Sequence, residues 1–275
     1  NDSRIREIIK AELNDMKESY GDERRTFIDP NAIDSDEEDL IPNEDVVITI
    51  TTDNYIKRIP LSTYRAQGRG GVGLKGMQTK EEDDVVSMFV TKSHDYVMFI
   101  TNHGRLHWLK GYRIPEGSRQ SKGKPVVNIL SDLEEGEKVV NTICVGEFRD
   151  DLYLAFCTRG GILKKTPLSA YGNVRSRGIK AIKLDGDDEL VETGMTDGDD
   201  EIIIATREGQ AVRFHESDVR PTGRDTMGVK GATLNPGDSV VSMAIVKSED
   251  MLLTVTENGY GKISNVADYR KTRRG

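Results

Sequence analysis

Basic side chains recur in this sequence in blocks almost free of acidic neighbours, a pattern suited to binding phosphates. Residues 57–75 hold Lys57, Arg58, Arg65, Arg69 and Lys75 and no Asp or Glu. Residues 105–124 hold Arg105, Lys110, Arg113, Arg119, Lys122 and Lys124 against Glu116 alone. Residues 159–183 hold Arg159, Lys164, Lys165, Arg175, Arg177, Lys180 and Lys183, again with no acid. The block 207–230 is mixed: Arg207, Arg213, Arg220, Arg224 and Lys230 stand with Glu208, Glu216, Asp218 and Asp225. The sequence ends with Arg270, Lys271, Arg273 and Arg274. Acids gather between the blocks, at Glu81–Asp84, Asp132–Glu137, Asp185–Glu189 and Asp197–Glu201. A surface charged only for solubility would mix signs within each loop. A repeated positive track supplies affinity and a path for a polyanion, and no sequence readout.

Other chemistries lack their residues. His94, His103, His107 and His215 form no metal-ligand spacing. The glycine-rich run Gly70–Gly76 lacks the Gly-Lys-Ser/Thr ending of a phosphate loop, and no helix is predicted after it. The acidic runs 185–189 and 197–201 read as solvated loops bracketing a strand, not as a Mg²⁺ site. Cys144 and Cys157 lie in apolar runs and read as buried thiols, with a single bridge left open. Trp108 reads as packing. No convergent set of acids, bases or nucleophiles is present, so no catalytic residue, cofactor or metal is expected in this chain.

These charges must be positioned by regular elements. The 275 residues carry 39 basic and 47 acidic side chains, a net of −8. Residues 1–45 hold 6 basic and 15 acidic, leaving 33 basic and 32 acidic in 46–275. The acidity is thus largely N-terminal. There Asp2 or Ser3 could cap a helix carrying Ile5, Ile8, Ile9, Leu13 and Met16 at helical spacing, with Gly21 as its stop. Residues 34–39, Asp-Ser-Asp-Glu-Glu-Asp, read as a self-repelling linker. A boundary near residue 43 divides the helix and linker, 1–42, from a domain spanning 43–275. No signal peptide and no bilayer-spanning run is read.

Residues 43–275 are repetitive. A short apolar run ending in Thr recurs as Val46–Thr51, Tyr96–Thr101, Leu152–Thr158, Ile202–Thr206 and Met251–Thr256. The threonines are spaced by 50, 57, 48 and 50 residues, and Asn54, Gly104, Gly161, Gly209 or Gly259 follows three residues later. This is hairpin chemistry, with Asn or Gly taking the positive φ of a tight turn. Second strands follow at Tyr55–Ile59, Arg105–Leu109, Ile162–Thr166, Gln210–Phe214 and Tyr260–Ser264. A further strand opens with Val85-Val86, Val139-Val140, Leu190-Val191 and Val240-Val241. A fourth element follows Gly73, Gly123, Gly178 or Gly228, with strand character over Val126–Leu130, Ile179–Leu184 and Val229–Leu234. Four short β-branched strands per ~50 residues describe a propeller blade. Blades bury their faces only by stacking. Four full repeats and most of a fifth are present, so the ring reads as clipped.

At the first unit, Gln67-Gly68-Arg69-Gly70-Gly71-Val72-Gly73 resembles the heptad of DNA gyrase A C-terminal domains, Gln-basic-Arg-Gly-Gly-basic-Gly. Gln67, Arg69, Gly70, Gly71 and Gly73 match, and Gly68 and Val72 stand where the family usually has basic residues. Arg270–Gly275 resembles a degenerate copy, and Gly21–Thr26 is similar to the end of the gyrase A cleavage domain. The resemblance implies an all-β, six-bladed β-pinwheel whose neighbouring blades exchange strands. It implies non-specific binding, bending and right-handed chiral wrapping of double-stranded DNA, presented for negative supercoiling. The candidate DNA-binding residues are the heptad 67–73 with the basic residues of the five blocks other than Arg105, Arg159, Lys183 and Arg207. The resemblance places ATP, Mg²⁺ and the nucleophilic tyrosine elsewhere in an assembly with the gyrase A cleavage domain and gyrase B, in the cytoplasm at the nucleoid. Two alternatives stay open: the DNA-bending domain of a topoisomerase IV A-type subunit, which would lack the heptad, and a protein-binding propeller, which would lack the basic track.

Overall fold

The computed structural model describes residues 2–22, 37–64, 84–130, 132–173 and 178–275. It divides into two compact units, Asn1–Leu40 and Ile41–Gly275. In the first, helix α1 spans Asp2–Tyr20, as the spacing of its apolar residues predicts. The Gly21 N–H donates to the Lys17 carbonyl at 2.9 Å and closes the last turn. Ile5, Ile8, Ile9, Leu13 and Met16 are all exposed. Among the described residues no helix is long and apolar enough to cross a membrane.

The second unit is built of short antiparallel strands. In chain order these are β1 (Asp45–Thr51), β2 (Tyr55–Pro60), β3 (Val85–Lys92), β4 (Tyr96–Thr101), β5 (Arg105–Lys110) and β6 (Lys124–Pro125). Next come β7 (Val139–Val145), β8 (Tyr153–Thr158), β9 (Ile162–Pro167), β10 (Ile179–Lys180) and β11 (Leu190–Thr196). The last are β12 (Glu201–Thr206), β13 (Ala211–His215), β14 (Val229–Lys230), β15 (Val240–Val246), β16 (Met251–Val255) and β17 (Gly261–Asn265). They form five sheets with orders β3-β1-β2-β6, β10-β5-β4-β7, β11-β8-β9-β14, β13-β12-β15 and β16-β17.

The recurrent threonine has a physical reason. In every hairpin its Oγ1 accepts the N–H four residues on: Tyr55 to Thr51 at 3.1 Å, Arg105 to Thr101 at 3.2 Å, Ile162 to Thr158 at 3.2 Å, Gln210 to Thr206 at 3.2 Å and Tyr260 to Thr256 at 3.3 Å. Its carbonyl accepts the N–H of Asn54, Gly104, Gly161, Gly209 or Gly259, each with φ between 57° and 82°. The hairpins therefore form where the Thr-to-Gly spacing puts them.

The apolar runs of β1, β4, β8 and β12 are continuous because both faces are buried, whereas β16 leaves Met251, Leu253 and Val255 exposed. On β4, Val97 and Phe99 join one core with Val46, Ile48 and Ile56 of the preceding sheet. Met98 and Ile100 join another with Leu154 and Phe156 of the following sheet. Ala155 and Cys157 then meet Ile202 and Ile204, while Ile203 packs with Val266. Each core lies between successive sheets and belongs to neither alone.

The short strands β6, β10 and β14 come from the unit after the one they complete. They pair with β2, β5 and β9. Only two residues pair in each case, so the strands expected over Ile179–Leu184 and Val229–Leu234 are far shorter than read, and Val126–Leu130 is no strand: Val126–Asn128 form a 3₁₀ turn just after β6. The chain bends around the preceding hairpin instead: the N–H groups of Ala181 and Ile182 both reach the Gly104 carbonyl, and those of Gly231 and Ala232 both reach that of Gly161. Ala181, Ile182 and Ala232 thereby drop into the inter-sheet cores.

Candidate nucleic-acid interface

The basic residues singled out by the sequence fall into three structural groups among the described residues. Arg113, Lys122, Lys124, Lys180, Arg220, Lys230, Arg270, Lys271, Arg273 and Arg274 are exposed. Lys124, Lys180 and Lys230 sit on β6, β10 and β14, so the strand exchange delivers one outward ammonium at each of three successive sheets. Lys271 is partly neutralised by Glu201, 2.6 Å away. Arg274 donates to the carbonyls of Asp218 at 2.9 Å and Lys230 at 3.0 Å, tying the last loop to the third and fourth sheets.

Arg58, Lys110, Arg119 and Arg224 are half-buried. Arg58 donates to the Ile114 carbonyl at 3.2 Å and to Glu116 at 3.2 Å. Lys110 donates to the His94 carbonyl at 3.0 Å and lies 3.9 Å over the Tyr96 ring.

Lys57, Lys164, Lys165 and Arg213 are buried, and this corrects the expectation that they face a phosphate. The Lys57 ammonium donates to the carbonyls of Ser118 at 3.1 Å, Arg119 at 2.7 Å and Ser121 at 3.0 Å. Lys164 donates to the carbonyls of Ala181 at 2.6 Å and of Arg224. Lys165 meets the carboxylate of Glu216 at 3.0 Å. Arg213 is spread over Glu201, the carbonyls of Val266 and Tyr269 at 2.8 and 2.9 Å, and Ser248. Burial lowers the pKa of Lys57, and pushes that of Lys164 down to about 8. Their donors are committed to backbone carbonyls and carboxylates inside the fold, so they are withdrawn from direct contact with a ligand. Lys57, His107 and Lys164 each stand six residues after the anchoring Thr, and all three are buried. The repeat register alone does not mark them, since Lys262, six residues after Thr256, is exposed.

Arg65, Gln67, Gly68, Arg69, Gly70, Gly71, Val72, Gly73, Lys75, Arg175 and Arg177 lie outside the described residues.

The acidic loops are also more structural than their composition implies. Glu137, Asp200, Glu201 and Glu216 are buried, which corrects the reading of 197–201 as solvated. Asp197, Asp200 and Glu216 converge, as do His103, Glu134 and Glu137. Glu216, however, already accepts from Lys165, Thr196 at 2.7 Å and the N–H groups of Gly198 and Asp200 at 2.9 and 2.8 Å. Burial works against its ionisation, yet these bonds prevail and hold the carboxyl below its usual range. Its oxygens are thus taken up by the fold. Glu137 is likewise taken up by Thr101 at 2.6 Å and Arg105 at 3.0 Å.

Cys144 and Cys157 are free thiols, pushed up to about 12 by burial. Trp108 meets the Tyr96 ring edge-on at 4.8 Å, which is packing as read from the sequence.

Comparison with known proteins adds to this geometry. A family model described as the DNA gyrase C-terminal domain, beta-propeller, matches residues 45–92, 95–145, 152–193, 200–247 and 250–275. The chain is 45% identical over 273 residues to the DNA gyrase A protein of Staphylococcus epidermidis, covering 98% of this chain and 30% of that protein. It is 46% identical over the same length to the gyrase A protein of Staphylococcus aureus, covering 31% of it. The chain thus spans about a third of the length of the curated relatives it matches. The solved C-terminal domain of DNA topoisomerase IV superposes with a TM-score of 0.72 at 30% identity, over 85% of this chain and 71% of that one. A DNA gyrase A C-terminal domain superposes with a TM-score of 0.66 at 30% identity, over 84% and 75%.

Proposed function

The chain belongs to the DNA gyrase C-terminal domain family, and from that premise we propose that it binds, bends and chirally wraps double-stranded DNA without sequence readout. The observation that carries this reading is the delivery of exposed Lys124, Lys180 and Lys230 by equivalent exchanged strands, with Arg113 and Lys122 exposed in the connection into the first of them and Arg220 in that into the third. A ligand that meets these sheets in succession must present negative charge at regular intervals, as a phosphate backbone does. Bending a 20–30 base-pair site by 40–90° costs roughly 1–6 kcal/mol, which many distributed phosphate contacts offset. Arg65, Arg69, Lys75 and the heptad 67–73, with Arg175 and Arg177, are proposed to extend the same track. The wrapped segment would serve negative supercoiling by an assembly containing the gyrase A cleavage domain and gyrase B, which would supply the tyrosine, ATP and Mg²⁺ chemistry.

A second reading, bending without chiral wrapping, is favoured by the 0.72 TM-score to the topoisomerase IV domain. A plasmid topology assay separates the two. Relaxed circular plasmid is mixed with the protein, re-relaxed with a type I topoisomerase, deproteinised and run on a gel. A ladder that shifts with protein dose supports wrapping. Binding with no shift supports bending alone, and no binding at low salt removes both.

A further inference from the structure

Two lysines of the second hairpin strands do something that their composition does not suggest. Lys57 is wholly buried, yet no part of its own hairpin receives its ammonium in the three bonds above: all three carbonyls, of Ser118, Arg119 and Ser121, belong to the loop that leads into β6. That loop carries half-buried Arg119 and exposed Lys122, and β6 after it carries exposed Lys124. Two sheets later Lys164 repeats the arrangement. One of its two bonds goes to the Arg224 carbonyl in the loop leading into β14, which carries exposed Lys230, and the other to Ala181 beside β10. Both lysines therefore pull backbone carbonyls inward, three at Lys57 and one at Lys164, beneath a loop that leads to an exposed lysine, Lys124 or Lys230. Negative carbonyl dipoles turned toward a buried cation are turned away from an approaching phosphate, and the loop is fixed before the ligand arrives.

The glycine ending each loop completes the clasp. A Cβ on Gly123 would lie 2.4 Å from the Ile56 carbonyl oxygen and 3.1 Å from the Lys57 Cβ. One on Gly228 would lie 2.6 Å from the Leu163 oxygen and 3.0 Å from the Lys164 Cβ. The backbone thus passes directly over the lysine stem in both units. In the intervening unit His107 takes the same place beneath Gly178, its ring 2.5 Å from where a Cβ would stand. There the buried Nε2 has no hydrogen-bond partner among the described residues.

We propose that Lys57 and Lys164 are positioning residues for DNA binding: buried clasps that shape from within, without touching DNA, the basic loop 117–123 and the loop 222–228 that leads into exposed Lys230. The proposal rests on the DNA-binding reading above, and deepens it by separating the charges that meet phosphate from those that aim them.

The test compares Lys57→Met, the milder Lys57→Gln and the exposed control Lys124→Gln. Amide hydrogen exchange over 117–123 and affinity for a linear 40 base-pair duplex at 0.15 M salt are measured for each. If a phosphate contact contributes nothing at 1 M salt, one contact at 0.15 M is worth about fivefold and two about thirtyfold. Lys124→Gln is expected to lose about fivefold with unchanged exchange. Lys57→Met is expected to speed exchange over 117–123 at least tenfold and to lose about thirtyfold in affinity, because Arg119 and Lys122 are both released. Lys57→Gln, which keeps two donors, is expected to fall between the parent and Lys57→Met on both readouts, and it decides the matter should Lys57→Met not fold. Unchanged exchange in the Lys57 variants would overturn the clasp. Faster exchange with affinity within twofold of the parent would overturn its role in DNA binding. Failure of the parent protein to bind the duplex at all would instead overturn the DNA-binding reading, a result distinct from either.

Discussion

An ammonium buried among carbonyls is held in a charge state that its surroundings oppose. Lys164 is the clearest case: burial, the largest influence, pushes its pKa from 10.5 down to about 8, against the pull of Asp225. The unfolded chain would titrate near 10.5. Between these two values the unfolded chain holds a proton that the folded one has released, so this group makes stability rise with pH across that window. Below about pH 8 both states are protonated and the burial cost is carried in full. Lys164→Met lacks the titration. Urea unfolding at pH 7 and pH 10 should therefore show the parent gaining on Lys164→Met at the higher pH, by up to a few kcal/mol, since each pH unit in the window is worth about 1.4 kcal/mol. A gap that stays constant or moves against the parent would show the amine to be hydrated. At this scale a sequence reading misleads in a specific way. Lys57, Lys164, Lys165 and Arg213 look identical in type to Lys124 or Arg220. Only the fold, by bringing a later loop over the second hairpin strand, turns the first four inward.

At the scale of elements, the hairpins were legible and the exchange was not. A hairpin is specified within ten residues by a β-branched run, a Thr whose Oγ1 accepts an N–H, and a Gly or Asn at positive φ. All five appear where this pattern puts them. The exchanged strand is specified by contacts about seventy residues apart, such as Ile56 with Lys124, and it has only two paired residues in which to leave a pattern. What marks it in sequence is the glycine before it. Gly123 combines φ of +79° with a Cβ position 2.4 Å from backbone oxygen. Gly136 shares the φ of +79° but has nothing within 4 Å. Gly136→Ala isolates the cost of the backbone conformation, about 1 kcal/mol. Gly123→Ala must also part β6 from β2, so it is expected to cost at least 2 kcal/mol more by denaturant unfolding. Equal costs for the two would mean that the close approach relaxes freely and the exchange is not held by it.

For the whole molecule, the net charge of −8 is a poor guide to partners, and folding does not change that balance. Among the described residues the buried ionised side chains are Lys57, Lys164, Lys165 and Arg213 on one side and Glu137, Asp200, Glu201 and Glu216 on the other. Four of each sign leave the surface total as it was. What decides the field is arrangement: much of the acidity lies in residues 1–45, while the exchanged strands carry Lys124, Lys180 and Lys230 outward at successive sheets. If these three lie on one DNA path, each releases its own share of counterions. The slope of log affinity against log salt should then become shallower by about 0.9 for each lysine removed, about 2.7 for Lys124→Gln, Lys180→Gln and Lys230→Gln together. The measurement is duplex affinity from 0.05 to 0.3 M salt for the parent, the three single variants and the triple. Additive loss of slope would place all three on the same bound DNA. A triple variant no shallower than a single one would mean that the DNA meets only one of these sheets at a time, which is contact without a bend, and the wrapping reading would fall with it.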